Sequence, residues 1–270
     1  MPGKVYLVGA GPGAADLITV RGARLLAQAE VVLHDALVEP EMLALCPQAK
    51  LVAVGKRCGK LSSAQQFINK QLIDHARTHA LVVRLKGGDP MLFGRADEEL
   101  RALEAAGIEV EVVPGITAAL ASAASLGRSL TLRGVSRSVA FVTQSRAPGS
   151  PDIEADARAD SLVYYMGRDA AATIAAGLID AGKSPATPVA IVESVTTPRE
   201  RHTAMTLGEL RDGVAARWFD GSQPSVILVG EAFAQSAAVP DAQDANDDAR
   251  DTHDAHAAPA AAKPRVPAAA

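Results

Sequence analysis

Three short apolar runs each end in a glycine-bearing loop, and this repetition constrains the fold more than any other feature of the chain. Val5–Val8 leads into Gly9-Ala-Gly-Pro-Gly13, Leu81–Leu85 into Lys86-Gly-Gly-Asp-Pro90, and Val110–Val113 into Pro114-Gly-Ile-Thr-Ala118. Brief apolar runs bounded by turn residues read as buried strands. As parallel strands of one sheet they send all three loops off its carboxyl edge, where open α/β folds place small ligands. Glycine lacks a Cβ and lets backbone amides and carbonyls approach a ligand closely, and a proline stiffens each loop. One such loop is equally well a tight β-to-α turn; three together point to a ligand site.

A dinucleotide site is the first alternative. Gly9, Gly11 and Ala14 satisfy a loose G-x-G-x-x-G/A, and Asp35 closes the next strand, Val31–His34, about where a ribose-binding acid belongs. In that fingerprint, however, the helix opens within the glycines and its amino end holds the pyrophosphate. Here the first good N-cap is Thr19, ahead of Val20–Ala29, so the helix starts too late. The chain contains no G-x-x-x-x-G-K-[ST] either.

Strand-like runs at 5–8, 31–34, 51–54, 81–85 and 110–113 alternate with helical patterns at 19–29, 63–78 and 96–106, which predicts a mainly parallel sheet covered on both faces. An Ala-rich helix over Ala118–Ser125 follows. The second half is richer in strands, at 138–143, 162–166, 189–192, 202–206 and 226–229, with fewer long helices. The expected organisation is two α/β sub-domains, 1–114 and 115–240, joined near Val113–Thr117. Residues 241–270 hold six Asp against Arg250, Lys263 and Arg265, with no aromatic residue. Such a tail is expected to be disordered. It carries most of the net charge of −4, leaving the rest nearly neutral.

Composition excludes several classes. Aromatic residues make up 3% of the chain and no basic run marks a phosphate track, which argues against nucleic acid. Apolar runs fall well short of the ~20 residues needed to span a bilayer. Lys4 leads straight into the first strand rather than into an apolar signal core, so a cytoplasmic location is expected. Cys46 and Cys58 belong to no ligand pattern, and His75 and His79 lack a Glu or a third ligand, so no metal is expected.

Seven motifs in order resemble those of the tetrapyrrole methylases. They are Val8-Gly-Ala-Gly-Pro-Gly13, Asp35-Ala-Leu-Val38, Val54-Gly-Lys-Arg57, Arg84-Leu-Lys-Gly-Gly-Asp-Pro90 with Phe93-Gly-Arg95, Val113-Pro-Gly-Ile-Thr-Ala118, Tyr164-Tyr-Met-Gly167 and Pro188-Val-Ala-Ile-Val-Glu193. The resemblance covers about residues 4–231. It implies the family fold, two α/β sub-domains with a ligand cleft between them, usually in a homodimer. The implied activity is C-methylation of uroporphyrinogen III at C2 and C7 by S-adenosyl-L-methionine, giving S-adenosyl-L-homocysteine and precorrin-2 for sirohaem or cobalamin. Within the same family, a methylase of a later precorrin is the alternative. The length leaves no room for a fused dehydrogenase/ferrochelatase module, so a single-module enzyme is expected.

Carried over by position, the resemblance implies cofactor contacts at Pro12, Gly87, Gly88, Asp89, Leu92, Thr117, Ala118, Met166, Val195 and Ser225. Asp35 and Lys56 occupy the positions of proton acceptor and donor. Read from the residues alone, Asp89 is equally an Asx turn, Asp35 a cap of the turn that follows it, and Lys56 a surface side chain. An octacarboxylate substrate calls for a local positive field. Arg57, Arg84, Lys86, Arg128 and Arg133 are the expected substrate-binding side chains, with Arg95, Arg137 and Arg168 beside them. Two stretches depart from the family pattern. Leu132 stands where a His is common, and Phe141-Val-Thr-Gln-Ser145 replaces a common Thr-Gly-His. Both lie in the half expected to face the macrocycle, so the positions methylated stay open.

Overall fold

A computed structural model describes residues 2–55, 61–144, 158–221 and 223–234. Lys56, Arg57, Cys58, Ser145 and the 241–270 tail lie outside the described residues. The chain runs β1 (Lys4–Gly9), α1 (Val20–Gln28), β2 (Val31–His34), α2 (Pro40–Leu43), β3 (Lys50–Ala53), α3 (Leu61–Ala76), β4 (Leu81–Lys86), α4 (Ala96–Ala105) and β5 (Val110–Val113). These five strands form one sheet in the order β3-β2-β4-β1-β5, with every pair parallel. The sheet's position between two helical layers explains why its strands read as unbroken apolar runs. Val5, Leu7, Val31, Leu33 and Val82 pack on α3 and α4 through Ile68, Leu72 and Leu103. The opposite face sets Val8, Val32, Val83 and Leu85 against Leu26 of α1 and Met42 of α2.

The order places a switch point between β1 and β4. The connection from β1 runs to β2 on one side, and the connection from β4 runs to β5 on the other. A crevice opens outside the strand ends where successive connections part in this way.

After Pro114–Thr117 come α5 (Ala118–Ser125), β6 (Val139–Thr143), β7 (Ser161–Tyr165), α6 (Ala171–Asp180), β8 (Pro188–Glu193), β9 (Arg201–Thr206), α7 (Leu207–Arg211) and β10 (Ser225–Val229). The second sheet has the order β6-β7-β10-β8-β9, and only β6 and β7 are parallel. One face packs Leu162, Ile191 and Ile227 on α6 and α7; the other packs Val163, Val192 and Leu228 on α5.

α6 and α7 escape the hydrophobic pattern. In Ala171-Ala-Thr-Ile-Ala-Ala-Gly-Leu-Ile-Asp180 alanine fills both faces, so the polar and apolar sides barely differ. The five-residue α7 is too short for periodicity, although its reciprocal Thr206–Glu209 capping box was readable as Thr-x-x-Glu. No helix among the described residues is long and apolar enough to cross a membrane.

Candidate active site

The three glycine loops touch one another through bare backbone. Gly11 and Gly88 form an antiparallel bridge, with Gly88 N–H donating to Gly11 O at 2.7 Å and Gly11 N–H donating to Gly88 O at 3.2 Å. A Cβ on Gly9 would lie 2.6 Å from Gly115 Cα, and one on Gly115 would lie 2.3 Å from Gly88 O. No side chain fits at Gly9 or Gly115, which is why the first and third loops carry glycine there. Asp89 locks it. Oδ2 accepts from Gly115 N–H at 2.9 Å, and Oδ1 accepts from Met91 N–H at 2.8 Å in an Asx turn.

The second sub-domain closes on this junction from two directions. The turn after β8 meets the first loop, where Ala14 N–H donates to Thr196 Oγ1 at 3.0 Å and a Cβ on Gly13 would sit 2.9 Å from Val195 O. The end of β7 meets the linker: Thr117 Oγ1 and Tyr165 Oη are 2.5 Å apart, and Ala119 N–H donates to Tyr165 Oη at 3.0 Å. Burial pushes the Tyr165 hydroxyl's pKa up, against the opposing pull of its bonds to Thr117 and Ala119. The Tyr165 ring also lies 5.2 Å from Phe93 in the second loop and 6.4 Å from Phe141 on β6.

Backbone strain concentrates on these loops. All five non-glycine residues with positive φ among the described residues, Phe93, Arg95, Met166, Ser194 and Thr196, leave the ends of β4, β7 and β8. Left-handed backbone in bulky or β-branched residues persists only where the surroundings impose it, and it clusters at functional sites.

Nine of the ten expected cofactor positions therefore share one neighbourhood. Pro12, Gly87, Gly88 and Asp89 lie on the first two loops, and Thr117 and Ala118 on the linker. Met166 follows Tyr165, Val195 stands beside the first loop, and Ser225 pairs with Glu193 two residues away from it. Leu92 lies one turn beyond Asp89, with its N–H donating to Asp89 O at 3.3 Å. Gly87 and Gly88 differ from Gly9 and Gly115: neither is crowded, and Gly88 owes its glycine to a φ of +66°. A Cβ on Gly87 would meet only Leu37 at 3.6 Å, and one on Gly88 only the Thr117 Cα at 3.9 Å.

The expected substrate-binding residues divide. Arg84 and Lys86 are not free cations of a cleft: they are 2% and 3% exposed, and both are engaged by protein carboxylates. Arg84 Nε donates to Glu99 Oε1 at 3.0 Å, Nη2 to Asp35 Oδ1 at 2.5 Å, and Nη1 to the Leu33 and Leu85 carbonyls at 3.4 and 3.2 Å. Lys86 Nζ donates to Glu99 Oε2 at 3.0 Å. Burial lowers the Lys86 pKa, helped by the Arg84 charge and opposed by Glu99 and Asp35. For Arg84, Asp35 and Glu99 together outweigh burial and raise the pKa. Neither side chain can fork onto a bound carboxylate while so engaged. Arg168 is similarly occupied, with Nη1 donating to the Gly221 carbonyl at 2.6 Å.

Arg128 lines a groove of about 540 Å³ bounded by α5 and β6, together with Leu120, Leu130 and Phe141. Arg133 and Arg137 are exposed on the segment between α5 and β6. The groove has none of the cofactor positions in its lining, and Phe141 links it to the junction through Tyr165. Asp35 stands one residue past β2, about one-third exposed, with its side chain turned to the α3/α4 face as Leu33 is. Among the described residues no group of three His, Cys, Asp or Glu could hold a metal ion.

The sequence pattern of the Tetrapyrrole (Corrin/Porphyrin) Methylases matches residues 4–211, most of the chain. This chain belongs to that family. The methylase is 47% identical over 234 residues to a uroporphyrinogen-III C-methyltransferase of Pseudomonas aeruginosa, covering 86% of this chain and 94% of that one. It is 46% identical to the siroheme synthase of Pseudomonas fluorescens, covering 85% of this chain and spanning about half the length of that relative. Among solved structures it is similar to uroporphyrin-III C-methyl transferase from Thermus thermophilus complexed with S-adenyl homocysteine. That match has 42% identity and a TM-score of 0.75, covering 85% of this chain and 98% of the other. The fold is the two-sub-domain α/β arrangement of the family, and the methylase is an enzyme of S-adenosylmethionine-dependent methyl transfer in tetrapyrrole metabolism.

Proposed function

We propose that the methylase transfers methyl groups from S-adenosyl-L-methionine to C2 and C7 of uroporphyrinogen III, giving precorrin-2. The observation that carries the cofactor site is the room at Gly87, since Gly88 already needs glycine for its φ of +66°. The Gly9 and Gly115 positions are glycine because protein backbone fills the space, whereas a side chain at Gly87 would meet almost nothing in the chain itself. Glycine that the protein's own packing does not require marks the approach of something else to the backbone. The neighbouring lining is backbone from the linker and the β8 turn, with the half-exposed Met166 as an apolar wall. Such a mixture suits a folded cofactor with one apolar ring and several polar groups.

The sulfonium supplies an activated methyl; its carbon–sulfur bond electrons leave with sulfur as the macrocycle carbon forms the new bond. The residues of the chain bind, orient and exclude water, which is most of what such a displacement requires. A proton must then leave the methylated macrocycle. Asp35 is the acceptor in this reading: its carboxylate is partly exposed, one residue past the carboxyl end of β2. Lys56 is assigned as donor by resemblance. Arg128, Arg133 and Arg137 are assigned to the substrate carboxylates by their position, the first lining the groove that Phe141 joins to the junction. The similarity to a uroporphyrinogen-III C-methyltransferase over nearly the whole of that relative supports the substrate.

The dinucleotide reading loses its support, since α1 begins at Val20, capped by Thr19, well after the glycines. The test is incubation with uroporphyrinogen III and 13C-methyl-labelled S-adenosylmethionine under anaerobic conditions, with the label located by NMR. Label at C2 and C7 is expected. Label only on a later precorrin offered in parallel would replace the substrate assignment.

A further inference from the structure

The face of the first sheet beneath α3 and α4 is apolar along its length until it nears the ligand edge, where it carries charge. Strand alternation puts Val82, Arg84 and Lys86 on this face from β4, the central strand, and Val31, Leu33 and then Asp35 from β2 beside it. Glu99 enters from α4 with no exposure, and Gln65 of α3 donates to its Oε1 at 3.3 Å. Burying charged groups is expensive even when they are paired, and apolar replacements are often at least as stable. Glu99 already has Lys86 as a counter-charge, so it does not need Arg84 for neutrality.

What Arg84 adds is a bridge. Each of its three nitrogens is committed: Nε to Glu99, Nη1 to two strand carbonyls, and Nη2 to Asp35. A planar guanidinium held at all three points has one orientation. Among the described residues, Arg84 is the one side chain that donates to the Asp35 carboxylate, and it occupies Oδ1, leaving Oδ2 without a side-chain donor.

We propose that Arg84, anchored by Glu99, is a positioning residue that fixes the Asp35 carboxylate so that one oxygen is held and the other is presented to the macrocycle. This rests on the reading of Asp35 as proton acceptor. Arg84 touches neither substrate nor cofactor; it acts through Asp35, and Glu99 acts through Arg84.

A double-mutant cycle on the full chain tests this, read as kcat and as KM for S-adenosylmethionine, with S-adenosylhomocysteine binding to show that each variant is folded. Arg84→Lys keeps the charge but cannot span from Glu99 to Asp35. It should lower kcat about tenfold, the scale of one charge-assisted hydrogen bond, with KM for the cofactor unchanged. Asp35→Asn should lower kcat about 10²-fold, and adding Arg84→Lys to it should change nothing further. Glu99→Gln, which keeps the shape and one acceptor for Arg84, should show a smaller loss that also vanishes in the Asp35→Asn background. It carries the same comparison if Arg84→Lys does not fold.

Losses that simply multiply in the doubles, or an Arg84→Lys enzyme turning over at the parent rate, would overturn the positioning role while leaving Asp35 in place. An Asp35→Asn enzyme at the parent rate would remove Asp35 from the chemistry and this proposal with it. A parent enzyme that leaves uroporphyrinogen III unmethylated would instead refute the substrate reading.

Discussion

Gly115→Ala is the substitution for which the structure gives the sharpest expectation. Its new Cβ would stand 2.3 Å from Gly88 O and 2.8 Å from Gly9 Cα, whereas ordinary contact begins near 3.4 Å. The Gly88 carbonyl must retreat by about an ångström, and both obstacles are backbone, so no rotamer change can relieve them. Nor can Gly88 move alone: it exchanges two hydrogen bonds with Gly11, and Asp89 is bonded to the Gly115 amide. Overpacking of this kind costs about 1–3 kcal/mol, or about 2–4 °C of melting temperature per kcal/mol for a chain of this size. A displacement of about 1 Å in a positioning group lowers rate by about 10²-fold. Turnover should fall by that order, and S-adenosylhomocysteine should bind more weakly. Gly177→Ala is the control, because α6 leaves a Cβ there with no neighbour within 4 Å. It should stabilise by about 0.5–1 kcal/mol with turnover unaltered. A Gly115→Ala enzyme that is folded, binds S-adenosylhomocysteine as the parent does and turns over normally would refute the claim that this junction shapes the cofactor site.

Other expectations follow from single contacts. Tyr165→Phe loses the acceptor of the Ala119 N–H and the partner of Thr117, and should destabilise by about 1–3 kcal/mol in thermal melting; an unchanged melting temperature would show that Tyr165 does not tie β7 to the linker. Asp160 accepts from Arg137 N–H, Ser138 N–H and Ser138 Oγ–H, which hold its pKa below the ordinary 3.8. The stabilisation it gives is complete above that value and lost as pH falls through the lowered folded pKa. The melting-temperature gap between parent and Asp160→Asn should therefore shrink on acidification in that range, and a gap independent of pH would contradict the assignment. Added salt should raise KM for the octacarboxylate more than KM for the cofactor, because exposed Arg contacts are screened over about 8 Å at physiological ionic strength; equal responses would remove the cationic groove.

The first half of the fold was legible because parallel strands buried on both faces leave an unmistakable alternation of apolar runs and glycine loops. Its strands fall within one residue or so of the apolar runs. The burial of Arg84 and Lys86 was not read, since Leu-Val-Val-Arg-Leu-Lys looks like a strand running out into a cationic loop. The missing fact was that β4 is the central strand. A signal did exist: Glu99 shares a helix face with Ala96 and Leu103, an acid on the apolar side of α4 that requires a buried cation. The convergence of Thr196, Tyr165 and the linker could not be read from spacing, because it depends on how the second sheet meets the first. Asp89 forms the Asx turn that its sequence position offered, and it also fastens the third loop, a tie that spacing does not reveal.

The most direct measurement is the mass of the tetrapyrrole after anaerobic incubation of the methylase with uroporphyrinogen III and excess S-adenosylmethionine. A product heavier by two methyl groups, formed with two equivalents of S-adenosylhomocysteine, is the predicted result. Unchanged uroporphyrinogen III in the presence of enzyme shown to bind S-adenosylhomocysteine would contradict the proposed function.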